Sequence, residues 1–436
     1  MENIIENDLK INYFYTIISG IFKYSKNSLI KGGLPKAFCN WKHRINNGDY
    51  KKTFEHLDKN YYDSYIINMY PEIKQENDIF KTTIFLNHLT KTDLIEAPLP
   101  FSINISGKEI KGIIHFIDVF LFPNEIGIFS IKFEITDKKQ LTIENVSAFT
   151  KKIRQSDTVI CITDKDLKIS QFIEKKILSG FSVNRNWNNY NPLFKSYTII
   201  DLNNNLKPEH IDNLLYDLGN MSELGSASGK GDYAPSESYF AEQMKNNKIS
   251  VFRNWSTLCL FDTLTRISFN MKDSFRVWEY DYFNIYINTI YMKSSMYMTN
   301  TELSDVTRIT RQTSKIKDKF VEFINDYYLS HISYKFLPNL LYNKMMFALE
   351  IHTEIEKMET KIQRINEGFQ KKRETTLNKA LTIIIFLSLF SVIGDLSSWF
   401  EELGVKYTWI YPYGSISILL AIIAVLIAIF KITGKK

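Results

Sequence analysis

Two apolar runs near the C-terminus dominate the hydrophobic pattern of the chain. From Ala380 to Phe400 the sequence carries one charge, Asp395, and from Tyr411 to Phe430 it carries none. Each run is about 20 residues, the length with which an α-helix crosses hydrocarbon. Trp399, Tyr407, Trp409, Tyr411 and Tyr413 cluster around the stretch between them, where amphipathic rings would meet one interface. Lys371, Lys372, Arg373 and Lys379 precede the first run, and Lys431, Lys435 and Lys436 follow the second, which puts both chain ends on the cytoplasmic side. The pattern predicts transmembrane helices over 380–400 and 411–432, joined by an extracytoplasmic link over 401–410. A buried helical hairpin of a large soluble core is the alternative, and the matched charged flanks argue against it.

Ahead of the first run, Ala348, Ile351, Ile355, Met358, Ile362, Ile365 and Phe369 recur at alternating intervals of 3 and 4, the seam of a coiled coil. This predicts a stalk helix over 341–379. Such a seam needs a partner, from the same chain or from identical stalks about a symmetry axis, and the second option makes the protein a homo-oligomer. Carried into the first run, the spacing aligns Leu381, Ile384, Ser388, Ser391 and Asp395 on one face. That face is the candidate pore lining, because a carboxylate facing lipid is costly. Packing of helices through the small serines is the competing use.

The preceding residues predict a mixed α/β domain over 1–245 and a helical domain over 246–340, so the fold class is α+β. Ile11, Phe14, Ile17, Ile18 and Ile21 have helix-like spacing. Between Pro98 and Ile135 the period changes to two, and Pro123, Asn124 and Glu125 supply the turn of an antiparallel hairpin. DTVICI and SYTIIDL read as short buried strands. Trp255, Leu258, Phe261, Leu264 and Phe269 suggest a helix, as do Tyr280, Tyr282, Phe283, Tyr286 and Ile290.

Composition narrows the function. The net charge of +6 is modest, with cations and anions interspersed along 436 residues, so direct nucleic-acid binding is not expected. Cys39, Cys161 and Cys259 stand too far apart for a zinc or redox motif. The acidic N-terminus lacks a secretion signal, which leaves targeting to the C-terminal hairpin. His115 and Asp118 fall on opposite faces of one strand and cannot pair. No nucleophile with a base, paired acids or metal cluster stands out. The expectation is therefore no catalytic residue, no metal ligand, no bound cofactor and no enzyme activity.

Two stretches invite ligand chemistry. Lys151, Lys152 and Arg154 could meet a phosphate, or could simply be a solvated helix end. From Asp217 through Gly219, Gly225, Gly229, Lys230 and Gly231 to Tyr233 runs a glycine-rich loop, which would be either a mobile linker or a segment closing over a ligand. Gly225 to Gly231 reads G-x-x-x-G-K-G, with neither the spacing nor the Ser or Thr of a P-loop.

The segments LTIIIFLSLFSVIGDLSSW and WIYPYGSISILL, behind a stalk helix, are similar to the membrane hairpin of CorA, the oligomeric magnesium channel. Ser397, Ser398 and Trp399 stand where CorA carries its Gly-Met-Asn motif. LFPNEIGIFSIKFEI, YAPSESYF and NWSTLCLFDTLTRIS resemble the divergent CorA-like proteins of type III CRISPR loci. This resemblance implies a multi-pass inner-membrane effector of antiviral defence, a pentamer or tetramer. It would be opened by a nucleotide second messenger, S-adenosylmethionine joined to AMP (SAM-AMP), and would cause membrane leakage. It also implies ligand contacts at Lys151, Lys152, Arg154 and Asp217, to which the loop would add Lys230 and Tyr233. A constitutive divalent-cation transporter is the alternative that the CorA likeness carries.

Overall fold

Strands rich in β-branched and aromatic residues build one large sheet. The computed structural model describes residues 9–25, 84–88, 99–122, 124–181, 183, 187–203, 206–271, 277–304 and 311–402. The strands are β1 (Ile11–Lys23), β2 (Ile84–His88), β3 (Leu99–Ile105), β4 (Lys108–Leu121), β5 (Ile126–Ile135), β6 (Val159–Ile162), β7 (Lys165–Lys168), β8 (Lys195–Leu202), β9 (Lys248–Ile249), β10 (Trp255–Cys259) and β11 (Thr263–Phe269). Their order is β7-β6-β3-β4-β5-β1-β8-β11-β10-β9, with β2 also paired to β4. All neighbours are antiparallel except β8 and β11. That parallel pair needs a crossover, which α3 (Pro208–Asn220) and α4 (Glu237–Asn247) supply.

The hairpin expected between Pro98 and Ile135 is present as β4 and β5, and DTVICI and SYTIIDL supply β6 and β8. The helix expected at Ile11 to Ile21 is instead the central strand β1, held between β5 and β8. Tyr13 to Ile18 are all β-branched or aromatic, and both faces of the strand are covered. A continuous apolar run carries no usable period, so residue type decides. The same reasoning corrects the helix expected over Trp255 to Phe269, which is the β10–β11 hairpin turning at Phe261 and Asp262. The sheet thus runs past residue 245, and residues 1–360 form one compact unit.

Cross-strand pairs fix the register. Gly20 lies opposite Phe129 and Gly127 opposite Phe22. A Cβ on Gly20 would stand 2.4 Å from the Phe129 ring, and one on Gly127 would stand 2.2 Å from Phe22. Each ring covers a glycine, so neither glycine can take a side chain without displacing it.

One face of the sheet packs on α1 (Ile143–Ile153), α2 (Ile169–Lys176) and α3 through Phe149, Ile153, Phe172 and Leu215. The other packs on α5 (Phe283–Ser304), where Phe122 stacks on Tyr291 at 3.7 Å between centroids. A single turn of π-helix, Trp278–Tyr282, leads into α5. It brings Glu279 within 3.0 Å of the buried Lys132, which also lies 2.9 Å from Glu134. His115, the extra residue of a bulge in β4, sits 2.7 Å from the other Glu134 oxygen. Burial alone would raise the Glu134 pKa, but the hydrogen bond from His115 and the Lys132 charge overcome it and hold the carboxyl at about 2.

The remaining helices are α6 (Arg311–Tyr327), α7 (Phe336–Ala348) and the 52-residue α8 (Ile351–Glu402). Here the expected architecture is corrected. Among the described residues no helix is long and apolar enough to cross a membrane. The first expected span, 380–400, is the continuation of α8. The link from 403 onward and the second span, 411–432, lie outside the described residues. Among the described residues the fold is a mixed α/β unit with a long helix, in place of the expected stalk running into a first transmembrane span. The apolar run had suggested a span by length, but Asp395, Ser388 and Ser391 interrupt it.

The seam is also partly occupied. Ile351, Ile355 and Met358 are buried within the chain. The first turns of α8 are tied by Lys293 Nζ donating to Glu354 at 2.5 Å and by Tyr328 Oη at 2.8 Å from His352 Nδ1.

Candidate ligand site at the joint of the long helix

Helix α1 starts at Thr142, whose Oγ1 accepts from the Asn145 amide at 3.3 Å. Lys151 and Lys152 occupy its last turn and are exposed, which complements the negative end of the helix dipole. Arg154 needs a different account, because it is only 5% exposed. Its Nε donates to the Phe194 carbonyl at 2.7 Å, and Nη2 has no hydrogen-bond partner. The nearest anion, Asp262 Oδ2, stands 3.8 Å from Nη2, beyond hydrogen-bond length. Burial lowers the Arg154 pKa and Asp262 partly restores it. A buried guanidinium with an idle N–H is costly to leave so.

Asp262 sits on the β10–β11 turn, where Lys195 Nζ donates to it at 2.5 Å and to the Phe261 carbonyl at 2.9 Å. Burial lowers the Lys195 pKa, against the opposing pull of Asp262. The Nζ atoms of Lys195 and Lys293 lie 4.0 and 4.7 Å from the centre of the Phe261 ring. Two cations, Arg154 and Lys195, therefore gather at the Asp262 carboxylate, and two, Lys195 and Lys293, at the Phe261 ring.

Of these groups, Arg154, Phe261 and Asp262 border a cavity of about 860 Å³. Arg154, Lys151 and Asp262 form one wall, and Tyr239, Gln243 and Asn247 of α4 another. The end of α3 contributes Gly219, whose close approach to Leu258 leaves 2.9 Å for a Cβ, and Met221, in the left-handed region at φ 56°. The remaining wall is the α7–α8 joint. Phe347 and Ala348 line the cavity from α7, and Glu350, His352, Thr353 and Lys357 line it from the start of α8. Glu350 breaks the two helices apart at φ 56°, a conformation costly for a residue with a side chain. Its amide donates to the Phe347 carbonyl at 2.9 Å, and its carbonyl accepts from the Glu354 amide at 3.1 Å. The volume suits a small organic ligand with a phosphate, and the first turn of α8 adds the positive end of a helix.

Of the six residues expected to bind ligand, Lys151 and Arg154 reach this cavity. Lys152 borders a separate concavity of about 560 Å³ beside Glu109, Asp157 and Asp166. Asp217 is buried and accepts from the Gly225 and Ala227 amides at 2.7 and 2.8 Å and from Ser222 Oγ at 3.3 Å. Burial raises its pKa against these bonds. Its work is to fold the glycine loop, and it is not in the cavity wall. The Lys230 stem lies against Gly225, where a Cβ would come within 2.5 Å of it, and Tyr233 is 94% exposed. Leu381, Ile384, Ser388, Ser391 and Asp395 are all exposed along α8. Sequence reasoning missed Asn247, Phe261, Asp262 and the joint, because β10 and β11 were read as a helix and their turn was invisible.

Beyond the seam, Leu377, Leu381, Ile383, Ile384, Ile385 and Leu387 are each more than half exposed. Successive helical positions point about 100° apart, so Ile383, Ile384 and Ile385 face most of the helix circumference. Among the described residues no three His, Cys, Asp or Glu side chains are grouped to hold a metal. No protein-family model, no curated protein and no solved structure matches the chain.

Proposed function

We propose that the chain is a ligand-gated effector without catalytic chemistry, in which a phosphate-bearing adenine nucleotide binds the cavity and resets the α7–α8 joint. One observation carries this reading: Arg154, a buried cation whose Nη2 has no hydrogen-bond partner, and both sides of the joint line one cavity. A ligand that draws Arg154 and the start of α8 together alters the angle at Glu350, and α8 is long enough to carry that change far from the cavity. The output is action on a membrane by a homo-oligomer. It engages lipid through the apolar side chains between Leu377 and Leu387, which face too many directions for one partner helix to cover. The resemblance to CorA-like effectors of type III CRISPR defence favours SAM-AMP as the nucleotide.

The test uses the full-length chain with dye-loaded liposomes of anionic phospholipid. SAM-AMP should cause dye release from liposomes carrying the wild-type chain and not from those carrying Arg154→Met. Release that is independent of nucleotide, or equal in the two proteins, would overturn the reading, and turnover of the nucleotide would make the chain an enzyme.

A further inference from the structure

Helix α5 is buried from Phe283 to Met296 except at Lys293, whose side chain is 15% exposed. A lysine so placed must find partners, and this one has two. Its Nζ donates to Glu354 Oε1, in the first turn of α8, at 2.5 Å and lies 4.7 Å from the centre of the Phe261 ring. Phe261 lines the cavity and is 45% exposed, whereas Lys293 is not in the cavity wall. One ammonium group thus touches both a cavity surface and the helix beyond the joint.

The same ring holds a second ammonium, that of Lys195, at 4.0 Å. Two like charges at one ring repel, and each is balanced by its own carboxylate, Asp262 for Lys195 and Glu354 for Lys293. Contacts therefore run without a gap from Asp262, on the β10–β11 turn, through Phe261 and Lys293 to Glu354. The Glu354 amide donates to the Glu350 carbonyl, so this residue closes the first turn of α8 directly after the break. A ligand that packs on the exposed side of Phe261 removes water from the ring, and the attraction between a ring and a cation strengthens as water is excluded. We propose that Lys293 is the positioning residue of the joint: an occupied cavity holds Phe261, Phe261 holds Lys293, and Lys293 pins the first turn of α8 through Glu354. This rests on the ligand-gated reading above and adds the side chain that carries occupancy from the cavity to α8. Lys293 transmits without touching the ligand.

The experiment combines calorimetric titration and hydrogen exchange of the full-length chain with SAM-AMP, on the wild type, Lys293→Met and Lys293→Arg. Methionine keeps most of the apolar stem and removes the charge, and Glu354, whose side chain is 30% exposed, stays solvated, so the variant should fold. Lys293→Met should bind SAM-AMP within about threefold of the wild type. In the wild type the ligand should slow exchange from Ile351 to Lys357 at least about tenfold and in Lys293→Met less than about twofold, while amides around Asp262 slow equally in both. Lys293→Arg, which keeps the charge and the reach, should restore the response. A lysine that only stabilised the fold would raise exchange in the ligand-free Lys293→Met protein and leave the tenfold slowing by ligand intact. That result overturns the proposal, as does a loss of affinity beyond about tenfold, which would put Lys293 in contact with the ligand. A wild type that does not bind SAM-AMP removes the gating reading and this inference together, whereas a wild type and a Lys293→Met protein that respond equally remove the role of Lys293 alone. Should Lys293→Met fail to fold, as judged by its melting transition, Glu354→Gln decides by the same two measurements, because it weakens the pair from the α8 side.

Discussion

Replacing Arg154 with Met separates the two jobs of that side chain. The methionine keeps much of the apolar stem, so packing beneath Phe194 is largely preserved. The Phe194 carbonyl loses the Nε bond of 2.7 Å, and Asp262 keeps Lys195 at 2.5 Å. Leaving one buried carbonyl short of a donor costs about 1 to 3 kcal/mol, and removal of an imperfectly paired buried guanidinium returns part of that. The variant should therefore fold, with a melting temperature a few degrees lower. Ligand binding should suffer more. Truncating a buried charged partner costs about 2 to 5 kcal/mol, which is at least about thirtyfold in Kd. Calorimetry should show that loss for AMP and almost none for adenosine, which lacks the phosphate. An unchanged AMP affinity in a folded Arg154→Met protein would refute the argument, because the idle Nη2 would then have no part in binding.

Asp262→Asn should tighten AMP binding by about tenfold at low salt, since the carboxylate that pairs with Lys195 and stands 3.8 Å from Arg154 would no longer repel a phosphate, and unchanged or weaker binding would count against that repulsion. Glu350→Gly should stabilise the folded unit by about 1 kcal/mol in urea unfolding, as glycine accepts φ 56° without strain; a loss of stability would mean that the side chain holds the joint. Glu134 has a folded value of about 2, below its ordinary value of 4.5, so its contribution is complete above about pH 4.5 and is lost as pH falls through 2. That contribution is about 3 kcal/mol, and Glu134→Gln should flatten the stability profile in this window; an identical slope in both proteins would refute it.

Legibility in the sequence followed the clarity of the periodic signal. The β4–β5 hairpin was readable because its turn residues bracket alternating runs. β1 and β10–β11 were not: both faces of β1 are buried and its nearly unbroken apolar run hides the period, while β10 and β11 bury polar residues such as Thr257, Thr265 and Arg266 along with the apolar ones. The basic cluster at 151–154 was visible, but its division of labour was not: one helical turn separates exposed Lys151 from buried Arg154. Asp217 looked like a ligand contact beside glycines, whereas the loop folds onto it through the amides of Gly225 and Ala227. Asn247 gave no sequence signal, because an asparagine closing a helix is ordinary. The seam made a long helix legible but not its start, because the break at Glu350 separates Phe336–Ala348 from Ile351–Glu402, and the expected span over 380–400 over-read apolar length.

Hydrogen exchange of the full-length chain, with and without SAM-AMP, tests most directly whether nucleotide occupancy resets the joint. The account predicts that amides from Met346 to Lys357 and those around Asp262 exchange at least about tenfold more slowly with nucleotide, and that Arg154→Met abolishes this protection at the same concentration. Nucleotide binding that leaves the exchange of residues 346–357 unchanged would contradict it.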